Sequence, residues 1–490
     1  MRKKDVVQQR KRSNSHFNYE DQSRRVQQQP AGKRIINHSK AMTQGKTLSI
    51  VMEKLLIAVF AEQRPADRVL SAMFRANRQL GSRDRRFISE TVFAFFRYLG
   101  ITSLLLSQEE WAILNSSGKL PDDSRKFAAM IAGTWFLEKV LPRPEGLIFF
   151  LNILHIPSCE QQFDGDEAIL HFVANAAGIS QLRKSYSKEC ICPDWIFKEL
   201  PFSEPSQLQS FLECLRNRPP MWIRVQTETS EEMLREFHEL GIVPQAHSRL
   251  DNAFALYRPA VNLFTLESFR TGAFEVQDLA SQCIGVVAAP QPGERWWDAC
   301  AGAGGKSLQL ASLMKRKGTV VASDIRGYKL EELKKRARRA GFSNIVIKIW
   351  DGKRLKEKQR GKFDGVLVDA PCSCTGTWRR NPDARWNVQK KEIAEFAELQ
   401  LSILEKAAEA VKAGGTLVYA TCSLIATENS GVVEKFLDKH PDFSPEFFLH
   451  PLTGKPVEGM LQIYPWDADC DGMFVAKFRL NAKKIPVPTE

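Results

Sequence analysis

The chain has 490 residues, 43% hydrophobic and 26% charged, with 70 Lys and Arg against 57 Asp and Glu for a formal net charge of +13. That length is about three times a common domain of ~150 residues, and the balance excludes collagen-like, wholly disordered and heptad-dominated chains, so two to four globular domains are expected. The charge is uneven, because residues 1–46 hold twelve Lys and Arg against three Asp and Glu, leaving +4 for everything after them.

This first segment is rich in Gln, Ser and Asn and has almost no periodic apolar residues, so it cannot bury enough surface to offset its ordering entropy. Residues 1–46 read as a disordered basic arm. Its charge suits nucleic-acid phosphates, and a plain solvated tail is the competing reading.

Residues 47–180 read as a helical domain. Leu55, Val59, Leu70 and Phe74, then Phe87, Ile88, Val92, Phe95 and Phe96, recur at three- and four-residue steps and form stripes for mutual burial. Gly81 and Ser82 mark a helix start, with Ser82 or Asp84 available as a cap. Arg83, Arg85, Arg86 and Arg97 form either a basic face for RNA or solvated bundle charges. The longest apolar stretch, Gly146 to Ile156, is broken by Asn152 and bounded by Pro144 and Pro157, short of the ~20 residues of a membrane span. The chain start lacks the basic-then-apolar order of a signal peptide. Its ten cysteines are scattered without paired CxxC spacing. A cytoplasmic chain with no membrane association and no metal is expected. Cys190/Cys192 and Cys372/Cys374 are CxC pairs, and neither spacing signals a metal site.

Residues 181–270 read as a small α+β domain. Met221 to Gln226 (MWIRVQ) alternates like a strand, a helix runs from Ser230 to near Gly241, and Phe254 to Leu256 is extended, giving a β-α-β unit.

From 271 to 480 short apolar strands alternate with longer helices. The strands are Trp296–Cys300, Val320–Asp324, Ile345–Trp350, Gly365–Asp369 and Thr416–Thr421, with helices starting near Ser307, Tyr328, Glu392 and Thr427. Alternation of this kind gives a Rossmann-like α/β domain, a parallel sheet with helices on both faces and its ligand at the carboxyl ends of the strands.

The residues at those ends are chemically specific. The first strand runs into DACAGAGGK (Asp298 to Lys306), where Gly302, Gly304 and Gly305 permit a tight turn before a helix N-terminus. It is not a phosphate-binding P-loop, whose spacing would put glycine where Cys300 stands. Asp324, Asp351 and Asp369 end the next three strands, and an acid about 20 residues past the glycine turn can accept from the hydroxyls of a ribose. A ligand with a hydroxylated sugar and no pyrophosphate fits, and S-adenosylmethionine is such a ligand. Asp369 leads into Ala370-Pro371-Cys372-Ser373-Cys374, and the neighbouring strand into Thr421-Cys422-Ser423. Cys372 and Cys422 should therefore open on one crevice, while Cys214, Cys283 and Cys374 read as structural. A thiolate that adds to carbon 6 of a pyrimidine makes carbon 5 nucleophilic enough to accept a methyl group, and a second thiol can assist loss of the carbon 5 proton.

These pieces together resemble the Sun/Fmu-type RNA cytosine-5 methyltransferases. The likeness rests on VQDLASQ (Val276 to Gln282), the DACAGAGGK turn, Asp324 and Asp351, DAPCSCTGTWRRNPDARW (Asp369 to Trp386), GGTLVYATCSL with ENSGVVEKFL (Glu428 to Leu437), and the closing LQIYPWDADCDGMFVAKF. It implies Cys422 as nucleophile and Cys372 as the group assisting release, with S-adenosylmethionine bound by Cys300, Ala301, Gly302, Ala303, Gly304, Gly305, Lys306, Asp324, Asp351 and Asp369. Lys306 and Asp369 would also lie near the target base. The family usually carries Ala-Pro where this chain has Gly302-Ala303.

Upstream, GSRDRRFISETVFAFFRYLG resembles a NusB-like RNA-binding domain, and the MWIRVQ unit resembles the small sheet domain that precedes the catalytic domain in the same enzymes. The implied partner is RNA, with 16S-type ribosomal RNA the expected substrate and no obligate protein partner evident. The alternatives are a catalytically silent RNA-binding assembly factor, a transfer-RNA cytosine-5 methyltransferase, and an amino-group methyltransferase. The last usually has an aromatic after a Pro-Pro step where this chain reads DAPCS.

Overall fold

The computed structural model describes residues 38–482 except 140–141, 158–159 and 228–229. Residues 1–37 of the basic arm lie outside the described residues. His38 to Lys46, assigned above to that arm, instead open the first helix, because Ala41, Gly45 and Leu48 face the core.

Seven helices form the first layer: α1 (His38–Phe60), α2 (Ala66–Ala76), α3 (Ser82–Thr102), α4 (Gln108–Ser117), α5 (Ser124–Glu138), α6 (Ile148–Ile153) and α7 (Asp166–Ala177). The expected stripe residues Leu55, Val59, Leu70, Phe87, Ile88, Val92, Phe95 and Phe96 are buried together, with Phe74 packed at the margin. Gly81 is the N-cap of α3 and no side chain caps it; Asp84 accepts from Gln44 instead. Arg97 cannot belong to a basic face, since it is buried in an ion pair with Glu138 at 2.8 Å. The segment Ser82–Leu105 is long and apolar enough to cross a membrane, a longer candidate than Gly146 to Ile156. It is 83% buried inside the protein, so packing accounts for its composition.

The helical body extends past residue 180. Helix α8 (Pro205–Arg216) and the turns before it place Ile191, Ile196, Phe211 and Leu215 in the same core. The small domain therefore starts at its first strand and not at 181. It is a four-stranded antiparallel sheet of β1 (Met221–Val225), β2 (Gln245–Ala246), β3 (Ala253–Leu256) and β4 (Phe274–Val276), in the order β2-β3-β1-β4. Strand β4 carries it past residue 270. Alternation along β1 divides its side chains between two cores. Ile223 and Val225 meet Met233 and Phe237 of α9 (Glu231–Glu239), whereas Trp222 meets Leu279 and Cys283 beyond the short α10 (Glu267–Arg270), on α11 (Leu279–Ala288).

The large sheet is mixed and not wholly parallel. Strands β5 (Arg295–Asp298), β6 (Thr319–Asp324), β7 (Ile345–Ile349), β8 (Phe363–Asp369) and β9 (Val411–Thr421) are parallel, in the order β9-β8-β5-β6-β7. Beyond β9 the edge is antiparallel: β10 (Phe443–Pro445) and β13 (Met460–Ile463) pair with β14 (Met473–Leu480), and β11 (Phe447–Leu449) with β12 (Pro456–Glu458) makes a separate hairpin. Helices α12 (Gly305–Leu313), α13 (Gly327–Arg339), α14 (Ala384–Asn387), α15 (Lys390–Ala408) and α16 (Ser430–Lys439) complete the domain. Strand order reverses between β5 and β8, which opens a crevice at their carboxyl ends.

The helical body is not a detachable appendage. Trp378, Leu424 and Ile425, from the loops after β8 and β9, are buried in its core. Arg385 is fully buried and donates to the carbonyls of Ile191 at 2.8 Å, Arg97 at 3.2 Å and Trp378 at 3.3 Å. The Asp383 carboxylate accepts from the Ala66 amide at 2.9 Å, at the start of α2. Truncating a buried donor that serves several carbonyls leaves those carbonyls dry, a penalty of about 3 kcal/mol or more. Arg385→Ala is expected to lower the thermal midpoint by several degrees, and helical and catalytic layers should still melt as one transition in calorimetry.

Candidate active site

The paired ends of β8 and β9 build the site. Asp369 lies opposite Ala420 in register, so both chains leave the sheet side by side. Three residues on is Cys372, and two residues past Ala420 is Cys422. Their sulfurs lie 3.4 Å apart. The loop that follows Cys372 crosses over Cys422, with the Gly376 amide donating to the Cys422 carbonyl at 2.9 Å. A Cβ at Gly376 would sit 2.2 Å from the Gly472 carbonyl oxygen, so only glycine allows the crossing.

A buried carboxylate ties the two loops together. Glu428, in the turn before α16, accepts from the Ser373 amide at 2.9 Å, from the Ser373 hydroxyl, from Ser423 Oγ at 2.6 Å and from Gln400 Nε2 of α15 at 2.9 Å. Ser373 and Ser423 also meet at 3.1 Å, and Thr375 Oγ1 accepts from the Leu424 amide at 2.7 Å. Each serine is the neighbour of a reactive cysteine. A buried carboxyl bonded to both loops and to α15 holds them in one geometry, which fixes the spacing of the sulfurs. Glu428 and Gln400 are site residues that the sequence reading does not single out; no spacing rule links residue 400 to 428, and the one signal for Glu428 is its place at the head of the ENSGVVEKFL segment.

The two sulfurs titrate as a unit. Hydrogen bonds from the Cys372 and Cys374 thiols, together with the Lys306 ammonium, hold Cys422 well below an ordinary thiol, against burial and the Asp369 charge. Cys372, bonded to its neighbours in turn and buried, is held well above. The charge therefore rests on Cys422 while Cys372 keeps its proton. Lys306 Nζ, on the first turn of α12, also contacts Asp369 Oδ2 at 2.8 Å, so it serves both the acid and the thiolate. Cys374, expected to be structural, joins this group. The sulfurs of Cys372, Cys374 and Cys422 all lie within 4.8 Å of one another.

On the other flank is the glycine turn. Ala301 is bonded to the Ser323 carbonyl at 2.8 Å and Ala303 accepts from Arg336 at 2.8 Å, which pins the turn to β6 and α13. Gly302 and Gly304 take φ of +53° and +90°. Cys300 packs against the core cluster that contains Trp297. Asp324, buried at the end of β6, accepts from the Gly302 amide at 2.9 Å and from Arg326 through Nε at 2.9 Å and Nη2 at 3.0 Å. Burial opposes its charge, but the Arg326 bonds hold the carboxyl below its ordinary value. Asp351 does not converge in the same way. It is exposed after β7 and paired with Lys353 at 2.8 Å.

An α/β sheet that carries Asp324, Asp369, a glycine turn and paired sulfurs at the carboxyl ends of its strands has the architecture of a methyltransferase. Residues 285–479 match the model of the 16S rRNA methyltransferase RsmB/F family, and residues 192–262 match the RsmF/B-like ferredoxin-like domain. Over these segments the chain belongs to the RsmB/F methyltransferase family. The ferredoxin-like match begins inside the turns that the structure packs with the helical body.

Similar curated proteins include the ribosomal RNA small subunit methyltransferase B of Klebsiella pneumoniae, 37% identical over 289 residues, and that of Sodalis glossinidius, 36% over 288. Each alignment covers 58% of this chain and 65% of the relative, just under two thirds of its length. Among solved structures, PH0851 superposes with a TM-score of 0.69 at 24% identity, covering 89% of this chain and 98% of its own. NSun6 from Pyrococcus horikoshii, solved with SFG, superposes with a TM-score of 0.51 at 20% identity, covering 59% of this chain and 98% of its own. Both show the fold.

S-adenosylmethionine is the cofactor of this family, and the crevice fits it. A Cβ at Gly302 or Gly305 would meet nothing within 4 Å, so the turn leaves open space along its backbone. Asp324 offers a carboxylate for ribose hydroxyls, and Ile325 beside it exposes a large apolar side chain suited to a flat heterocycle. The four lone-pair positions of Asp324 are engaged by Gly302 and Arg326, so a diol must displace Arg326, half-exposed and hence cheap to release.

The depressed Cys422 thiol predicts a pH profile. An ordinary thiol near 8.5 loses about tenfold in thiolate per pH unit below that value. Alkylation of Cys422 by iodoacetamide, followed by peptide mass spectrometry, should stay near its plateau from pH 8 to 6.5, whereas in Lys306→Met the fall should set in at higher pH.

Proposed function

We propose that the chain methylates carbon 5 of a cytosine in RNA through a covalent Cys422 adduct at carbon 6. The observation that carries this reading is the sulfur pair 3.4 Å apart at the ends of two neighbouring strands. One thiolate and one thiol divide the work that carbon-directed methylation requires. The Cys422 Sγ lone pair forms a bond to carbon 6, and the displaced π electrons make carbon 5 the nucleophile. Asp369, held by Lys306, faces the polar edge of the ring and favours that electron flow. The donor supplies an electrophilic methyl group when bound. Once Cys422 is bonded to carbon and no longer a thiolate, Cys372 releases its proton to solvent and takes the carbon 5 proton; that electron pair returns to the ring, and the carbon–sulfur bond breaks with its electrons on Cys422.

The target base has to leave its stack to reach a sulfur held at the base of a crevice. Ribosomal RNA is favoured over transfer RNA by the names that the curated relatives carry. A NusB-like role for the helical body and an RNA-binding role for the small sheet follow from the sequence resemblance, and the packing of Trp378, Leu424 and Ile425 into the helical body supports the first. The silent assembly factor is disfavoured because both thiols, Lys306 and Asp369 are present and mutually bonded. An amino-group acceptor is disfavoured because Cys372 stands where an aromatic would stack the acceptor, and nitrogen needs no thiolate.

With labelled donor and small-subunit rRNA, Cys422→Ala should lose turnover by on the order of 10³-fold or more. Cys372→Ala should accumulate a protein–RNA adduct that survives a denaturing gel. Methylation by Cys422→Ala at the wild-type rate would overturn the assignment.

A further inference from the structure

We propose that Cys372, Cys374 and Cys422 form a binding site for a thiophilic metal ion, a site that competes with the catalytic use of Cys422. The proposal rests on the sulfur positions and not on the methyl-transfer reading. Among the described residues these three sulfurs form the metal-ligating cluster, all within 4.8 Å of one another, with one pair at 3.4 Å. Three sulfurs bound tetrahedrally at ~2.3 Å from zinc lie ~3.8 Å apart, between those two values, so small side-chain rotations close the site. The donors are all sulfur. Such a set selects Zn(II), Cd(II) or Cu(I) and rejects Mg(II) and Ca(II), which require oxygen.

Cys374 is the residue that turns a catalytic pair into a chelating triad. Its backbone is held in the left-handed region at φ +57°, and its thiol lies 3.3 Å from the Cys372 carbonyl oxygen, returned toward the pair it follows. Cys374 and Cys422 are only partly buried, which leaves an approach for an ion and an open fourth position for water. On binding, three sulfur–metal bonds form and the remaining thiol protons pass to solvent, with no change of oxidation state. Cys422 then has its lone pair engaged by the metal and cannot add to a base.

The test uses the full chain under reducing conditions, without RNA or methyl donor, titrating Zn(II) against a chromophoric chelator. One equivalent should be held at the cluster. Cys374→Ser should weaken it on the order of 10- to 100-fold or more, since disturbing even outer-shell partners costs that much. Cys214→Ser, outside the cluster, should leave it unchanged. Cd(II) should displace the zinc, whereas Mg(II) should not. In parallel, Zn(II) should shield Cys422 from iodoacetamide in the wild type and far less in Cys374→Ser. Zinc held equally by Cys374→Ser, no zinc held by the wild type, or no shielding of Cys422 would each overturn the proposal.

Discussion

The hydrogen bonds converging on the buried Glu428 carboxylate are the constraint on which the site depends. Ser373 and Ser423 sit on different loops, 50 residues apart in sequence, and both give their hydroxyls to the same acid. Each is covalently next to a reactive cysteine, so the sulfur separation is inherited from the carboxylate. Several hydrogen bonds sharing one acceptor in a dry setting resist the small displacements that would separate the sulfurs. The parallel register of β8 and β9 brings the loops close, and Glu428 converts closeness into contact.

Behind the clamp, the helical body supplies the wall. Leu424 and Ile425, immediately after Cys422-Ser423, and Trp378, after the Cys374 turn, lie in its core, while Arg385 fastens the same loop to the carbonyls of Arg97 and Ile191 across the boundary. Catalytic loops usually move because few buried contacts restrain them. Here the reactive side faces the crevice and the opposite side is packed as core. Pre-organisation of this kind keeps the thiolate and its partner in place before substrate arrives.

Electrostatics divides labour between two chemically identical groups. Lys306 and the flanking thiols favour charge on Cys422, and the charge so placed holds the proton on Cys372. One environment thus drives two thiols to different states, as two carboxylates in a single site can be. The same crowding of sulfur brings three soft ligand atoms within 4.8 Å of one another, which is the basis of the metal site proposed above.

Much was legible in the chain itself. The three- and four-residue spacing of Leu55, Phe87 and Phe95 set the helical stripe, alternation set β1, and the apolar runs Trp296–Cys300, Val320–Asp324 and Gly365–Asp369 set the parallel strands, because each of these depends on local periodicity. The pairing of Cys372 with Cys422 followed from strand-end placement alone. Tertiary structure decided the rest. The antiparallel edge made by β14, the extension of the helical core to Leu215, the burial of Arg97 and the exposure of Asp351 all depend on which surfaces meet, and short-range pattern does not encode that. Cys374 is the sharpest case. Its CxC spacing carries no metal signal in sequence, and only a third sulfur arriving from β9, 48 residues on, makes it a member of a cluster, since a ligand set is a property of space and not of order along the chain.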